Sequence, residues 1–222
     1  MNGTKREHEE AKEREAVKEG EVKAALEKAE KTRSEGGTVP FHTLEGHFPL
    51  YSITHFDLCY DPAYWPTRYI DFSYLDEEGQ LDYSGLRARD GKSLLDGFLY
   101  LDGSIDCSLE RFLPPLEASP EFFEIKEGGP KSRCTFAVQI IDSDHVIVKV
   151  SRELVFQDRP KEATGPDTFV FMGVRDDFSR NKLLELLKNG ATCPRMEVVA
   201  KVPPRRRRKR RSRRSRRRRN GD

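Results

Sequence analysis

Six side chains of metal-binding or acid–base type fall close together: His42, His47, His55, Asp57, Cys59 and Asp61. Imidazole, carboxylate and thiolate are ligands that zinc takes. Zinc sites, however, draw on short paired spacings, and His42-x4-His47-x7-His55 matches none of them. On a strand, His55, Asp57 and Cys59 would share one face. That face can bind something, or it can point inward, with Cys59 packed and His55 making one hydrogen bond. The inward reading is the expected one, so no metal ligand and no catalytic residue is assigned.

A second group, Asp142-Ser143-Asp144-His145, gathers an acid, a hydroxyl and an imidazole. A catalytic triad needs such groups to converge from separately fixed elements, which neighbours in a tight turn rarely do. Asp and Ser are also turn residues for backbone reasons, so a hairpin turn is expected here. The aromatic group from Tyr60 to Tyr74, with Arg68 inside it, has the composition of a base-stacking or peptide-binding surface. Core packing is the favoured reading, because aromatics dominate burial. No GxxxxGK[ST] and no GxGxxG occurs, and no cofactor is expected.

The strongest chemical signal is electrostatic. Arg205, Arg206, Arg207, Arg208, Lys209, Arg210, Arg211, Arg213, Arg214, Arg216, Arg217, Arg218 and Arg219 form a run with no acid in it. Like charges this dense repel and cannot bury, so the segment is expected to be disordered when free. Each arginine that neutralises a phosphate releases a counterion, and the guanidinium fork suits phosphate and base faces. K/R-rich windows of this kind also serve as nuclear import signals. The expected partners are therefore nucleic acid or a nuclear import receptor. Ser212 and Ser215 interrupt the run and are candidate phosphorylation sites, where a phosphate would subtract up to about two charges each. Their Arg-Ser dipeptides resemble those of splicing-factor tails over a short stretch only, and a spacer role is favoured. A tail without a selected role, arising from low-complexity repeat sequence, is the third alternative.

The formal net charge of +2 conceals an asymmetry. With the thirteen basic residues and the Asp222 carboxylate set aside, residues 1–204 carry about −10. The four cysteines, Cys59, Cys107, Cys134 and Cys193, form no CxxC pair. No apolar leader follows Met1, so reduced thiols are expected. No run approaches the ~18 apolar residues of a membrane span, and no membrane partner is expected.

The elements that must position these residues follow from periodicity. Residues 4–34 are rich in Glu, Lys and Ala, which favours helix. Only Val17, Val22 and Leu26 are large apolar residues there. An exposed, frayed helix is therefore expected, available to a protein partner as a coiled coil and ending at Ser34-Glu35-Gly36-Gly37. Strands are expected at Tyr51–Leu58 and Thr67–Leu75, and at Gly97–Leu101 and Ser104–Leu109 around Asp102-Gly103. Cys134–Ile140 and Val146–Val150 form a hairpin about Asp142-Ser143-Asp144, the second strand extending to Phe156, and Thr168–Val174 is a further strand. A helix is expected from Asp176 to Gly190, with Leu183, Leu184, Leu186 and Leu187 on its apolar face, and a short strand at Met196–Val202.

These elements give an α+β fold: a mainly antiparallel β domain, sandwich or half-barrel, with one helix on its C-terminal side, a charged N-terminal helix and a disordered Arg-rich tail. The divisions are residues 1–37 as extension and linker, 38–202 as the β-rich domain and 203–222 as the tail. The expected function is that of a non-enzymatic nuclear or nucleic-acid-associated protein. The alternative is a protein–protein adaptor that uses the N-terminal helix and the β domain, the tail serving only for import.

Overall fold

The structure, a computed structural model, describes residues 2–60, 67–75, 94–101, 105–128, 135–157 and 164–176, without the side chains of residues 2–4. The order of elements is α1 (Asn2–Ser34), β1 (Gly46–Tyr51), α2 (Ile53–Cys59), β2 (Arg68–Tyr74), β3 (Leu95–Leu101), β4 (Ile105–Ser108), β5 (Phe123–Lys126), β6 (Thr135–Ile140), β7 (His145–Ser151), α3 (Arg152–Val155) and β8 (Thr168–Val174).

The strands lie in the order β4-β3-β2-β1-β8-β7-β6-β5, every neighbouring pair antiparallel. This is an eight-stranded antiparallel half-barrel with an N-terminal helix, the second of the two expected architectures. Its edges meet at one bridge, Leu109 opposite Glu127. Two backbone hydrogen bonds flank it: Glu110 N–H to Lys126 O at 2.7 Å and Gly128 N–H to Ser108 O at 2.7 Å. Drawing the edges together there shortens the unpaired rows of N–H and C=O that an open sheet presents.

Strict alternation sets the register. Arg68, Ile70, Phe72 and Tyr74 face inward on β2, while Tyr69, Asp71 and Ser73 face outward. Val146, Val148 and Val150 do the same on β7, and Phe169 and Phe171 on β8. With Phe48, Leu50, Leu99 and Phe136 these fill the interior, and all but Arg68 and Tyr74 are 2% exposed or less.

Several elements differ from the sequence reading, and residues 46–50 of β1 were not among the expected strands. The segment expected as strand from Tyr51 to Leu58 is the end of β1 followed by α2. Ser52 caps that helix, its hydroxyl accepting from His55 N–H at 3.3 Å. Apolar residues at Ile53, Phe56 and Cys59 have helical spacing, and that spacing prevails over the two-residue parity of His55, Asp57 and Cys59. The strand expected to reach Phe156 stops at Ser151, which caps the short α3. β5 was not expected at all, because four residues with one fully buried side chain, Ile125, carry little periodic signal.

The largest difference concerns α1. It is not an exposed helix. Ala11, Glu15, Val22 and Ala29 are buried along one face, while Val17 on the other side is 62% exposed. Ala25, Leu26, Val22 and Ala29 pack on Ile141, Ile147, Met172 and Val174, the outward side chains of the β7–β8 region. Small residues on the helix let it approach closely, and the sheet supplies the bulk. The helix ends as expected at the glycines. Gly36 has φ 77°. Gly37 N–H reaches back to Thr32 O at 2.8 Å and Gly36 N–H to Arg33 O at 3.0 Å, which is the Schellman arrangement.

The expected helix after Asp176, the strand at 196–202, the tail, and Cys134 and Cys193 lie outside the described residues.

Candidate functional site

The densest set of buried polar groups lies where α1 crosses α2 at one end of the half-barrel. Arg68 begins β2 on its inward face and is 4% exposed. Its guanidinium pairs with Glu15 of α1 and donates to His55 Nδ1 of α2 at 3.2 Å. Arginine has only donors, so Nδ1 accepts and the His55 proton sits on Nε2. The other Glu15 oxygen accepts Ser52 N–H at 2.7 Å, and Glu19 accepts Ile53 N–H at 2.7 Å. The first amides of α2, unsatisfied within the helix, are thus held by two carboxylates of α1. Lys12 to Asp57 at 2.6 Å and the His8 ring against Phe56 and Tyr60 at 5.0 and 4.6 Å extend this contact.

Beside it lies a cleft of 320 Å³ between α1 and the outer face of β1 and β2, lined by Arg14, Glu15, His47, Tyr51, Arg68 and Tyr69 among others. His47 pairs with Asp71 across the β1–β2 register. Tyr69 stacks on Tyr100 of β3, centroids 5.3 Å apart and planes 18° off parallel. Burial pushes the Tyr51 phenol above its ordinary value. The acids and bases around the cleft face one another. The chemistry present is that of ion pairs joining α1 to α2 and to the sheet.

A second cleft, of 250 Å³, lies between the C-terminal half of α1 and the β6–β7 turn, with Lys28, Thr32, His42, Asp142 and Ser143 in its wall. The expected turn is present. Asp142 Oδ1 accepts Asp144 N–H at 2.8 Å, His145 N–H at 2.9 Å and the His145 ring at 2.8 Å. The hydrogen bond that the His145 ring donates to Asp142 raises the His145 pKa against the opposing effect of burial. Burial works to raise the Asp142 carboxyl, and its hydrogen bonds from His145 and Asp144 outweigh that, leaving it below the usual range. Ser143 Oγ accepts His42 N–H at 2.9 Å, so hydroxyl and imidazole are directed to different partners. The four residues form a turn, not a triad.

Of the six clustered residues in the first group, His55 and Cys59 are buried by α2, Asp57 is paired with Lys12, and His42 and His47 lie elsewhere. Asp61 lies outside the described residues. Among the described residues no group of three or more His, Cys, Asp or Glu side chains is arranged to hold a metal ion. No described helix is long and apolar enough to cross a membrane.

Sequence reading missed Glu15 and Arg68 as partners, which stand 53 positions apart. It also missed Arg175. That side chain donates to Ser143 O at 2.6 Å, Glu45 O at 2.6 Å and Thr43 O at 2.7 Å, with its guanidinium 5.0 Å from the Phe48 ring. An inward-facing arginine in an otherwise apolar alternation was the available signal for Arg68. The basic residues 205–219, with Ser212 and Ser215, lie outside the described residues. No family model, no curated protein and no solved structure matches the chain.

Proposed function

We propose that the protein is a non-enzymatic, nuclear or nucleic-acid-associated protein in which the filled half-barrel is a scaffold and residues 205–219 are an electrostatic arm for RNA or DNA, doubling as an import signal. The observation that carries this is the run of thirteen Arg and Lys with no acid, attached to a body of about −10. What supports it in the folded part is the use made of polar groups there. The Glu15–Arg68–His55 set and the Asp142–His145 turn hold elements together. The interior is occupied by phenylalanine, leucine, isoleucine and valine side chains. The adaptor alternative has less helix to offer a partner, since the Val22, Ala25, Leu26 and Ala29 side of α1 rests on its own sheet.

The test titrates the full chain, and a chain ending at Pro204, into labelled single-stranded RNA and duplex DNA across a salt series. The full chain is expected to bind with an affinity that falls steeply with salt, by about 0.7 to 0.9 in log–log slope for each phosphate contacted. The shortened chain is expected not to bind. Equal binding by both chains, or none by either at physiological salt, overturns the nucleic-acid part. A tail that fails to carry a fused reporter into nuclei overturns the import part.

A further inference from the structure

Between β4 and β5 the chain runs across the end of the half-barrel at which β6 finishes. Both ends of this crossing are fixed. Phe112 exchanges hydrogen bonds with Leu95 at 2.9 and 3.1 Å, and its ring meets Phe72 and Phe123, each at 5.9 Å. On the far side Ser119 N–H bonds Ile140 O at 3.1 Å, and Gln139 donates to Pro120 O at 2.7 Å. Between these anchors is Leu113-Pro114-Pro115-Leu116. Leu113 is 57% exposed and Leu116 55%, more than any other large apolar side chain described on the half-barrel.

The sequence dictates the backbone here. Each proline fixes its own φ near −65° and drives the residue before it out of the helical region. Leu113 and Pro114 are therefore extended, as in the left-handed polyproline helix. The extended stretch runs to a bend at Leu116 and Glu117. Two exposed leucines flanking a proline pair, on a short segment fixed at both ends, offer apolar anchors to an aromatic-lined groove of the kind that takes polyproline helices. The fixed ends remove most of the ordering cost that a free peptide bears on binding.

We propose that Leu113–Leu116 is a docking motif for a protein module with such an aromatic groove. The exposed carboxylates of Glu110, Glu117 and Glu121 flank it, while Arg111 faces Asp96 at 3.6 Å. The rim of the partner groove is therefore basic. This surface belongs to the folded part and is independent of the polybasic arm.

The test uses the full chain against purified WW, SH3 and EVH1 domains, one at a time, in about 0.3 M salt so that attraction to the tail is screened. Saturable binding to at least one domain is expected. Leu113→Asp with Leu116→Asp is expected to weaken it at least roughly tenfold, as loss of a central anchor does. Pro114→Ala with Pro115→Ala, which keeps both leucines, is expected to weaken it by a smaller factor through lost preorganisation. The melting temperature should stay at the parent value in the leucine variant, whose altered side chains are exposed, and fall slightly in the proline variant, whose unfolded chain gains freedom. Absence of saturable binding to every domain, or binding that both variants leave unchanged, overturns the proposal. So does a leucine effect that appears only as loss of self-association in sedimentation, which would assign the surface to a second copy.

Discussion

The two ends of the half-barrel are closed by different chemistry. At one end α2 seats on the interior, and the junction depends on a buried ion pair, Arg68 with Glu15, the two side chains 2% and 7% exposed. At the other end Arg175 ties the 43–45 segment to the β6–β7 turn through three backbone carbonyls, and the 112–120 crossing lies over the core. Glu15 is a charge that burial penalises, whereas the three carbonyls are neutral and the carboxylate beside Arg175, Asp144 at 3.4 Å, is 65% exposed. The ends therefore differ less in what the contacts contribute than in what is left behind when one partner is removed. The first end is held by mutual necessity, the second by a single side chain that bridges.

The sharpest way to break this comparison is Glu15→Ala. It strands a buried guanidinium and also releases the Ser52 amide of α2. Loss of one partner of a buried pair costs about 3–5 kcal/mol, and denaturant unfolding should show a loss in that range. Replacing both residues, Glu15→Ala with Arg68→Met, should recover a large part of it, because no unpaired charge remains. If the double variant is as unstable as the sum of the two single ones, the pair is not the source of the cost. Loss of α1 from the sheet should accompany Glu15→Ala, visible as hydrogen exchange in residues 11–29.

At the other end Arg175→Ala leaves three carbonyls that can turn toward water and an Asp144 carboxylate that is already 65% exposed. The expected loss is smaller, about 2–3 kcal/mol, in line with one or two hydrogen bonds to a charged group. Arg175→Lys should lose nearly as much, since one ammonium cannot reach three carbonyls in the fork arrangement. A loss for Arg175→Ala as large as that for Glu15→Ala would remove the distinction between the ends.

How much of this was legible in the sequence follows from the range over which each signal acts. β8 matches its expected limits, Thr168–Val174, because alternation of Phe169 and Phe171 is local and strict. β2 and the β6–β7 hairpin were legible for the same reason. α2 was misread because two local patterns compete over seven residues, and the deciding Ser52 cap acts through one hydrogen bond. The burial of α1 was not legible. Its alanines are a weak apolar stripe until Ile147 and Met172 are known to lie opposite, and those belong to the far half of the chain. The candidate polar site was the least legible part. Glu15 and Arg68 are 53 positions apart, and no spacing rule joins them. The basic run needs no fold to be recognised, and it remains the part of the chain that most constrains function.

The smallest expected effect lies at the β6–β7 turn, where His145 joins that turn to α1. Its Nδ1 is held by Asp142, and its Nε2 stands 3.6 Å from Glu21, which Lys18 also engages. The folded-state pKa of His145 is raised, so its contribution to stability is fully present below the ordinary value of about 6.5 and is lost as pH rises through the folded value. The Asp142 carboxyl is lowered, so its contribution is present above about 3.9 and is lost as pH falls through its folded value. The turn is therefore most stabilising between those limits. His145→Gln keeps a hydrogen-bonding side chain and cannot charge. Its melting temperature should lie furthest below that of the parent near about pH 5.5 and approach it by about pH 8.5, the whole difference amounting to no more than about 1 kcal/mol because the site is partly exposed. An NMR titration of His145 should give a value above the ordinary one in the parent, which Asp142→Asn lowers. A difference in melting temperature that does not vary with pH would mean that the ring acts only as a neutral hydrogen-bonding group. The hold of this turn on α1 would then rest on that neutral contact and on the packing of Val22 and Ala29 with Ile141 and Ile147.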